Sequence, residues 1–366
     1  MNAQEQALPS ASKKRYPEID LARGLTVFLM PAVHVTMLYG NEAVYHSWLG
    51  IAMNWIAEFP GAQLFMLLMG MTLGFSDGRD IKKTFFKALK WMLAGYLLNG
   101  CKFLVPAFAG WLPTGFYQYL SITPGFHGWL TLFLLGDILQ FAALSIMIMH
   151  LADKYLPGKW AILLLLVFII ICSPVVWRLQ IGSGWVNELI SLVTGNDPLV
   201  FFPVFPWLLY PLTGSVIGKM LRRRQLNYVW LAAAGFLLMC PGIFLDHMNL
   251  IANNENLYRS FPLQTLFHAG FCFLWLSGCF VISKITSQFI FFKILSWCSA
   301  HITLIYCIQW VIIFWCIDFI PYRGLNTYDT MLYCYVLSII VLITARAWQQ
   351  ILQHSNRLTP DGTNYL

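Results

Sequence analysis

The sequence predicts an all-α integral membrane protein with about ten transmembrane helices and both termini in the cytoplasm. Three observations point to this fold class: the composition, the lengths of the apolar segments and the distribution of the basic residues. Of 366 residues, 58% are hydrophobic and only 11% are charged, whereas about a quarter of the residues in a soluble domain are charged. A soluble chain of this length could not bury so much apolar surface, so we expect lipid to be its solvent.

Ten apolar segments each approach the roughly 20 residues that a helix needs to cross the hydrocarbon core. They lie near 21–39, 55–75, 88–106, 128–150, 159–177, 199–220, 228–246, 263–283, 295–318 and 329–348. A closed β-barrel would instead show short strands of alternating polarity. The sequence therefore predicts a ten-helix transmembrane domain over residues 20–350, between cytoplasmic tails at 1–19 and 351–366.

The basic residues orient these helices. With the N-terminus inside, most of the 23 Lys and Arg residues fall on predicted cytoplasmic segments, as the positive-inside rule requires. Four fall on the outer side, namely Lys102, Arg178, Arg259 and Arg323. The net charge of +7 thus follows from membrane topology, and we expect no nucleic-acid partner.

The nine cysteines form no Cys-x-x-Cys pair, and all lie in or beside apolar stretches. This pattern favours small buried side chains over a disulfide framework or a metal site. We therefore expect no bound metal.

The first apolar segment carries the most informative polar residues. Ionisable groups within transmembrane segments are costly and are therefore candidates for function. Asp20 and Arg23 are neighbours on one helix face, and His34 returns to that face almost three turns later, about 16 Å along the axis. Pro31 is expected to bend the helix before His34, and Gly24 to allow close approach of a ligand or another helix. An interfacial Asp20–Arg23 ion pair with a structural His34 is the alternative.

Two later segments carry further candidates. Asp137 and Gln140 are expected on one face of the fourth transmembrane helix, where the carboxylate would orient the His34 imidazole. A hydrogen-bond network that only packs helices together is the alternative. Tyr306 and Gln309 share a face of the ninth helix and are expected to line the same cavity.

Two cytoplasmic basic clusters have two interpretations. The clusters contain Lys83, Lys87, Arg222, Arg223 and Arg224. Topology alone explains such clusters. The more specific hypothesis is a phosphate-binding mouth, because guanidinium and ammonium groups suit phosphates.

Several motifs in chain order resemble the membrane-bound acyltransferase superfamily, which includes the acyltransferase-3 and heparan-α-glucosaminide N-acetyltransferase families. The motifs are Asp20-Leu-Ala-Arg23-Gly24 with His34, Gly61 to Gly70, Gly136-Asp-Ile-Leu-Gln140, Phe205-Pro-Trp207 with Gly214 and Gly218, and Ile302 to Gln309. The Pro-Trp element and the late Tyr motif favour the heparan-acetyltransferase-like branch. Met69 and Gln309 depart from the pattern, because relatives often have a small residue and a His there.

The resemblance implies transfer of an acyl group, usually acetyl from acetyl-CoA, to a hydroxyl or amine of a saccharide or glycoconjugate across the membrane. Coenzyme A is polyanionic and cytoplasmic, so its phosphates would lie at Arg23 and the basic clusters. His34 would act as general base or carry the acyl group transiently. Acetyl-CoA is then a co-substrate, with no permanently bound cofactor. A bacterial inner membrane is the expected location, and a homodimer is one option for the assembly.

A proton-coupled transporter or flippase for a lipid-linked saccharide is the alternative function. Buried Asp, Arg and His residues suit proton coupling. The sequence shows neither repeated halves nor paired broken helices, which disfavours this class. An anchoring subunit without chemistry is a third hypothesis, and it would leave the alignment of Asp20, Arg23 and His34 unexplained.

Overall fold

The computed structural model describes residues 15–76, 80–156, 158–182, 184–247 and 257–358. Residues 1–14 and 359–366, which are parts of the predicted cytoplasmic tails at 1–19 and 351–366, lie outside the described residues. The adjoining parts of the tails are helical, because the first helix begins at Pro17 and the last one continues to Leu358.

Within the described residues the chain forms eighteen α-helices and no named strand. The first nine are α1 (Pro17–Tyr39), α2 (Glu42–Tyr45), α3 (Trp48–Glu58), α4 (Ala62–Gly74), α5 (Ile81–Asn99), α6 (Val105–Ala109), α7 (Thr114–Tyr119), α8 (Phe126–Leu134) and α9 (Ile138–Tyr155). The others are α10 (Lys159–Val176), α11 (Trp185–Thr194), α12 (Val204–Trp207), α13 (Leu209–Arg222), α14 (Tyr228–His247), α15 (Pro262–Thr286), α16 (Ile290–Ala300), α17 (Ile302–Trp315) and α18 (Thr327–Leu358). A π-helical turn, Gly100–Leu104, joins α5 to α6.

The all-α membrane class agrees with these helices. Among the described residues, five stretches are long and apolar enough to cross a membrane, or six if a bent pair of helices counts as one span. They are Pro17–Tyr39, Trp48–Gly74, Ile81–Ala109, Pro262–Thr286 and Thr327–His354, with Ile290–Ala300 and Ile302–Asp318 as the bent pair. Ten crossings and the cytoplasmic position of both ends stay predictions.

Several predicted transmembrane helices are interrupted. The fourth apolar segment divides at residues 135–137, between α8 and α9, and the ninth bends by 82° at His301, between α16 and α17. The hydropathy of the sequence does not reveal these interruptions, because apolar residues flank them on both sides. The sequence interpretation foresaw neither interruption.

Glycines bring α4 and α13 into close contact. A Cβ added to Gly70 would lie 2.0 Å from the carbonyl oxygen of Pro211, and one added to Gly214 would lie 2.0 Å from that of Leu67. Gly74 and Gly218 repeat the arrangement one turn further along the two helices. Small residues spaced by four let helix backbones approach each other, which is how helices associate in lipid. We call these four glycines the glycine seam.

α1 lies at the centre of the bundle and packs against α15, α16 and α18. Pro17 suits the first turn of the helix. An N–H group at this position would have no partner within the helix, so proline loses no hydrogen bond there. Pro31 does not interrupt the helix, which continues to Tyr39. Gly24 meets the backbone of Leu295 in α16 so closely that a Cβ would lie 2.2 Å from its carbonyl oxygen. The predicted close approach of another helix at Gly24 is thus observed.

The surface of the bundle is apolar. Large side chains on α5, α10 and α14 are exposed, including Phe86, Leu164 and Leu237. Exposed apolar belts of this kind suit a lipid environment, since monomeric soluble proteins rarely carry apolar patches of such extent.

Candidate active site

His34 is held by two neighbours on α17. Its Nδ1 atom lies 3.2 Å from Nε2 of Gln309, and its ring stacks on the indole of Trp310, with centroids 4.0 Å apart and planes at 25°. Gln309 is fully buried, whereas His34 keeps partial exposure. These two side chains therefore fix the plane and the direction of the ring.

Asp137 lies at the break between α8 and α9. It caps the N-terminus of α9: its carboxylate accepts from the N–H of Ile138 at 2.7 Å, and Gln140 Oε1 accepts from the N–H of Asp137 at 3.3 Å. The expectation that Asp137 and Gln140 share a helix face inside an unbroken helix was wrong. Asp137 ends the irregular segment, and Gln140 completes its capping box.

The Asp137 carboxylate has two further partners. Nζ of Lys102 lies 2.5 Å from Oδ2, and the Tyr306 hydroxyl donates to Oδ1 at 2.9 Å. The side chains of Lys102 and Asp137 are only 2% and 8% exposed, so this ion pair is excluded from solvent. The expected direct contact between Asp137 and His34 is absent among these described residues, and Gln309 occupies that position instead.

Lys102 is the site residue that the sequence interpretation missed. It was assigned to the outer side of the membrane, yet it lies in the π-helical turn and is buried. Its Nζ atom lies 4.6 Å from the centroid of Phe103 and 5.0 Å from that of Trp310. The sequence did contain a signal for this residue. Lys102 lies inside the third apolar segment, where a charge is costly unless it is paired, and such a charge indicates a buried partner.

α17 joins the two groups of polar contacts. Tyr306, Gln309 and Trp310 follow the spacing of neighbours on one helix face. Tyr306 binds Asp137, while Gln309 and Trp310 bind His34. His34 and Asp137, which are more than 100 positions apart in sequence, thus both contact one face of α17.

Arg23 lies on the same helix as His34 but has its own partners. Its Nη2 atom donates to Oγ1 of Thr72 at 2.8 Å and approaches the carbonyl oxygen of Leu68 at 3.4 Å. Asp20 instead accepts from the hydroxyl of Ser299 at 3.0 Å. Asp20 and Arg23 therefore bind different partners and do not form the ion pair that was the alternative interpretation.

The basic clusters divide into two places. Nη1 of Arg222 approaches the carbonyl oxygen of Phe75 at 3.4 Å, at the same end of α4 as Thr72, the partner of Arg23. Arg223 and Arg224 follow it and are exposed. Lys83 and Lys87 are exposed on α5, which packs mainly against α9 rather than α1. Arg222 is thus the member of the basic clusters that contacts the same end of α4 as Arg23.

A comparison with protein families identifies the family of the chain. The sequence model of heparan-alpha-glucosaminide N-acetyltransferase, catalytic, matches residues 15–252, about two thirds of the chain. The chain belongs to this family. No curated protein matches it.

Membership in the heparan-alpha-glucosaminide N-acetyltransferase family, together with the long apolar helices, identifies a membrane-embedded acyltransferase of the acetyltransferase type. The family uses acetyl-CoA as co-substrate. The matched range contains Arg23, His34, Lys102 and Asp137, and it ends before α17. The residues that contact His34 therefore lie beyond the matched range.

Proposed function

We propose that the protein transfers an acetyl group from cytoplasmic acetyl-CoA to a hydroxyl or amine of a saccharide or glycoconjugate at the extracytoplasmic side, in a bacterial inner membrane. The observation that carries this proposal is the His34 imidazole. It is held in one orientation by Gln309 and Trp310 and stays partly exposed, about three helical turns from Arg23.

His34 acts as general base in the transfer. Its Nε2 atom takes the proton of the acceptor hydroxyl or amine, whose oxygen or nitrogen bonds to the thioester carbonyl carbon. The carbon–sulfur bond then breaks, and the imidazolium returns its proton to the sulfur of the leaving CoA. A route through an acetyl-histidine fits the same geometry.

Gln309 suits this role of His34. A base that acts through Nε2 carries its other proton on Nδ1, which then needs an acceptor. Oε1 of Gln309 is buried and has no other partner, and a rotation of the amide by 180° brings it to Nδ1. In that orientation Oε1 accepts from the Nδ1–H group in both the neutral base and the imidazolium, because Nδ1 keeps its proton in both. A glutamine therefore replaces the late histidine that relatives often have.

Arg23 and Arg222 form the donor end of the site. Both lie at one end of α4, and a pair of guanidinium groups suits the phosphates of CoA. The pantetheine arm would extend from there along α1 toward His34, roughly 16 Å away. Lys83, Lys87, Arg223 and Arg224 add positive charge on the cytoplasmic side, with membrane topology as their alternative role.

The central experiment measures acetyl transfer by the purified protein in lipid nanodiscs. Radiolabelled acetyl-CoA is supplied with glucosamine as the acceptor probe, and label on the sugar is counted. We expect transfer by the wild type and a loss of roughly 10² to 10⁴ in rate for His34→Gln, with acetyl-CoA affinity retained. The matched control is His268→Gln, which changes a buried histidine on α15. Equal transfer by His34→Gln and wild type would contradict the role of His34.

The orientation is tested separately with reporter fusions. A reporter fused after Gln225 should be cytoplasmic, and one fused after Asn254 should be extracytoplasmic. Both reporters on one side would contradict the predicted crossing between them.

The transporter alternative has one supporting observation. The 82° bend between α16 and α17 lies next to Tyr306 and Gln309, and broken helices line the substrate sites of many transporters. Saccharide uptake into proteoliposomes without acetyl-CoA, together with no label transfer, would favour that class.

A further inference from the structure

Two helix irregularities meet at the centre of the site. The first is the π-helical turn Gly100–Leu104, in which the N–H of Val105 bonds the carbonyl of Gly100. The second is the break at residues 135–137 between α8 and α9. A π turn adds one residue to the helix and so changes the direction of the following side chains by about 100°. Such turns are frequent at functional sites.

The two irregularities are joined by side chains. Nδ2 of Asn99 donates to the carbonyl oxygens of Phe133 and Leu135 at 2.9 and 2.8 Å, where the break leaves carbonyls without helical partners. Lys102, three residues after Asn99, pairs with Asp137 at the other end of the break. The π turn and the residue before it therefore stabilise the break, through the Lys102 ammonium group and the Asn99 amide.

The Lys102 ammonium also reaches the surroundings of His34. It lies 5.0 Å from the centroid of the Trp310 indole, within the range of a cation–π contact. The same indole stacks on His34 at 4.0 Å. Asp137, held by Lys102, accepts from Tyr306, which lies one turn before Trp310 on α17. Lys102 thus supports the Trp310 region of α17 both directly and through Asp137.

We propose that Lys102 is a positioning residue for acetyl transfer, which holds Trp310, and through it the His34 ring, in the reactive orientation. This inference rests on the proposed function, since it assigns Lys102 to the same reaction. A residue with this role changes the rate of transfer rather than the binding of acetyl-CoA, because its contacts lie at the His34 end of the site.

A purely structural ion pair is the competing explanation, and a double variant separates the two. Replacement of one partner leaves a buried charge unpaired and destabilises the fold, whereas replacement of both by apolar residues is often neutral or stabilising. Because Asp137 also caps α9 and accepts from Tyr306, it is replaced by Asn, which removes the charge but still caps a helix. Lys102→Met/Asp137→Asn should therefore stay folded and keep the acetyl-CoA affinity of the wild type. We expect its kcat for glucosamine to fall at least tenfold.

A second ion pair gives the matched control. Lys219 and Asp153 also approach to 2.5 Å, with side chains 30% and 29% exposed, away from His34 on α13 and α9. Lys219→Met/Asp153→Asn should leave kcat unchanged. Lys102→Arg keeps the positive charge and the contact with the indole, so it should recover kcat relative to Lys102→Met.

The outcomes are distinct. Wild-type kcat in a folded Lys102→Met/Asp137→Asn protein would overturn the inference and leave the proposed function intact. A Lys102→Arg protein as slow as the double variant, at wild-type stability, would also overturn it. Absence of acetyl transfer by the wild type would instead refute the proposed function.

Discussion

The glycine seam and the polar site use opposite means to hold helices together. In the seam, α4 and α13 touch through backbone atoms at Gly70 and Gly214, with no charged group involved. In the site, the π turn after α5, the start of α9 and α17 are joined by a few polar side chains, above all Lys102 and Asp137. The seam spreads its stabilisation over many weak contacts, whereas the site concentrates it in a few. We therefore expect changes in the seam to affect stability and changes in the site to affect chemistry.

The largest effect should come from added volume in the seam. Gly214→Leu places a side chain against the Leu67 carbonyl, which belongs to helix backbone and cannot move aside. Overpacking typically costs about 1–3 kcal/mol, and here we expect the upper end or loss of folded protein. Thermal unfolding in detergent measures it. The control is Gly278→Leu on α15, where an added Cβ meets nothing within 4 Å; equal destabilisation of both variants would contradict the seam.

The donor end should show the next largest effect. Arg23→Ala removes a guanidinium proposed to bind CoA phosphates, and a hydrogen bond to a charged group contributes roughly 1.5–3 kcal/mol. We expect acetyl-CoA affinity to fall by roughly 10- to 150-fold, with little change in stability. Calorimetric titration with CoA measures this. Arg178→Ala, which removes an exposed arginine from a predicted outer loop, should bind CoA like the wild type; unchanged affinity of Arg23→Ala would remove Arg23 from the donor site.

The contact between Gln309 and His34 should have a smaller effect. Gln309→Leu removes a single hydrogen bond, which is worth about 0.5–1.5 kcal/mol, and it leaves the Trp310 stack in place. We expect kcat for glucosamine to fall about 3- to 10-fold, with CoA affinity retained. Gln309→His, which introduces the residue that relatives often have, should retain more activity than Gln309→Leu. The reverse order of the two variants would show that Gln309 does not support the ring.

The smallest effect should come from the exposed arginines. Arg223→Gln/Arg224→Gln removes two charges at the surface, where solvent and salt screen them. We expect CoA affinity to change no more than about threefold at physiological salt, provided that membrane insertion is normal. A loss as large as that of Arg23→Ala would move the donor site outward to the exposed cluster.

Sequence reasoning was most successful where a feature depends on spacing along one helix. Gly24 indicated a close approach of a ligand or another helix, and the close contact with α16 is observed. Tyr306 and Gln309 were expected on one face, and both contact the site. Periodicity of 3.6 residues determines such relations, because it holds wherever the helix is regular.

Sequence reasoning failed where the helices are irregular. Lys102 was placed outside because a regular helix over 88–106 ends near it, and the π turn was not foreseen. Asp137 was placed inside a continuous helix because apolar residues flank it on both sides, whereas it caps the start of α9. A single inserted residue or a three-residue break changes side-chain direction without changing hydropathy.

The sequence by itself determined that this is an all-α membrane protein and that Arg23 and His34 lie along one helix, because composition and helical period suffice for both. Only the tertiary structure decided which groups touch His34. Gln309 and Trp310 come from α17, and the charged pair that supports them comes from the π turn after α5 and from the start of α9. Contacts between segments so distant in the chain depend on how irregular helices pack, and the hydrophobic pattern of lipid-exposed helices carries little information about that packing.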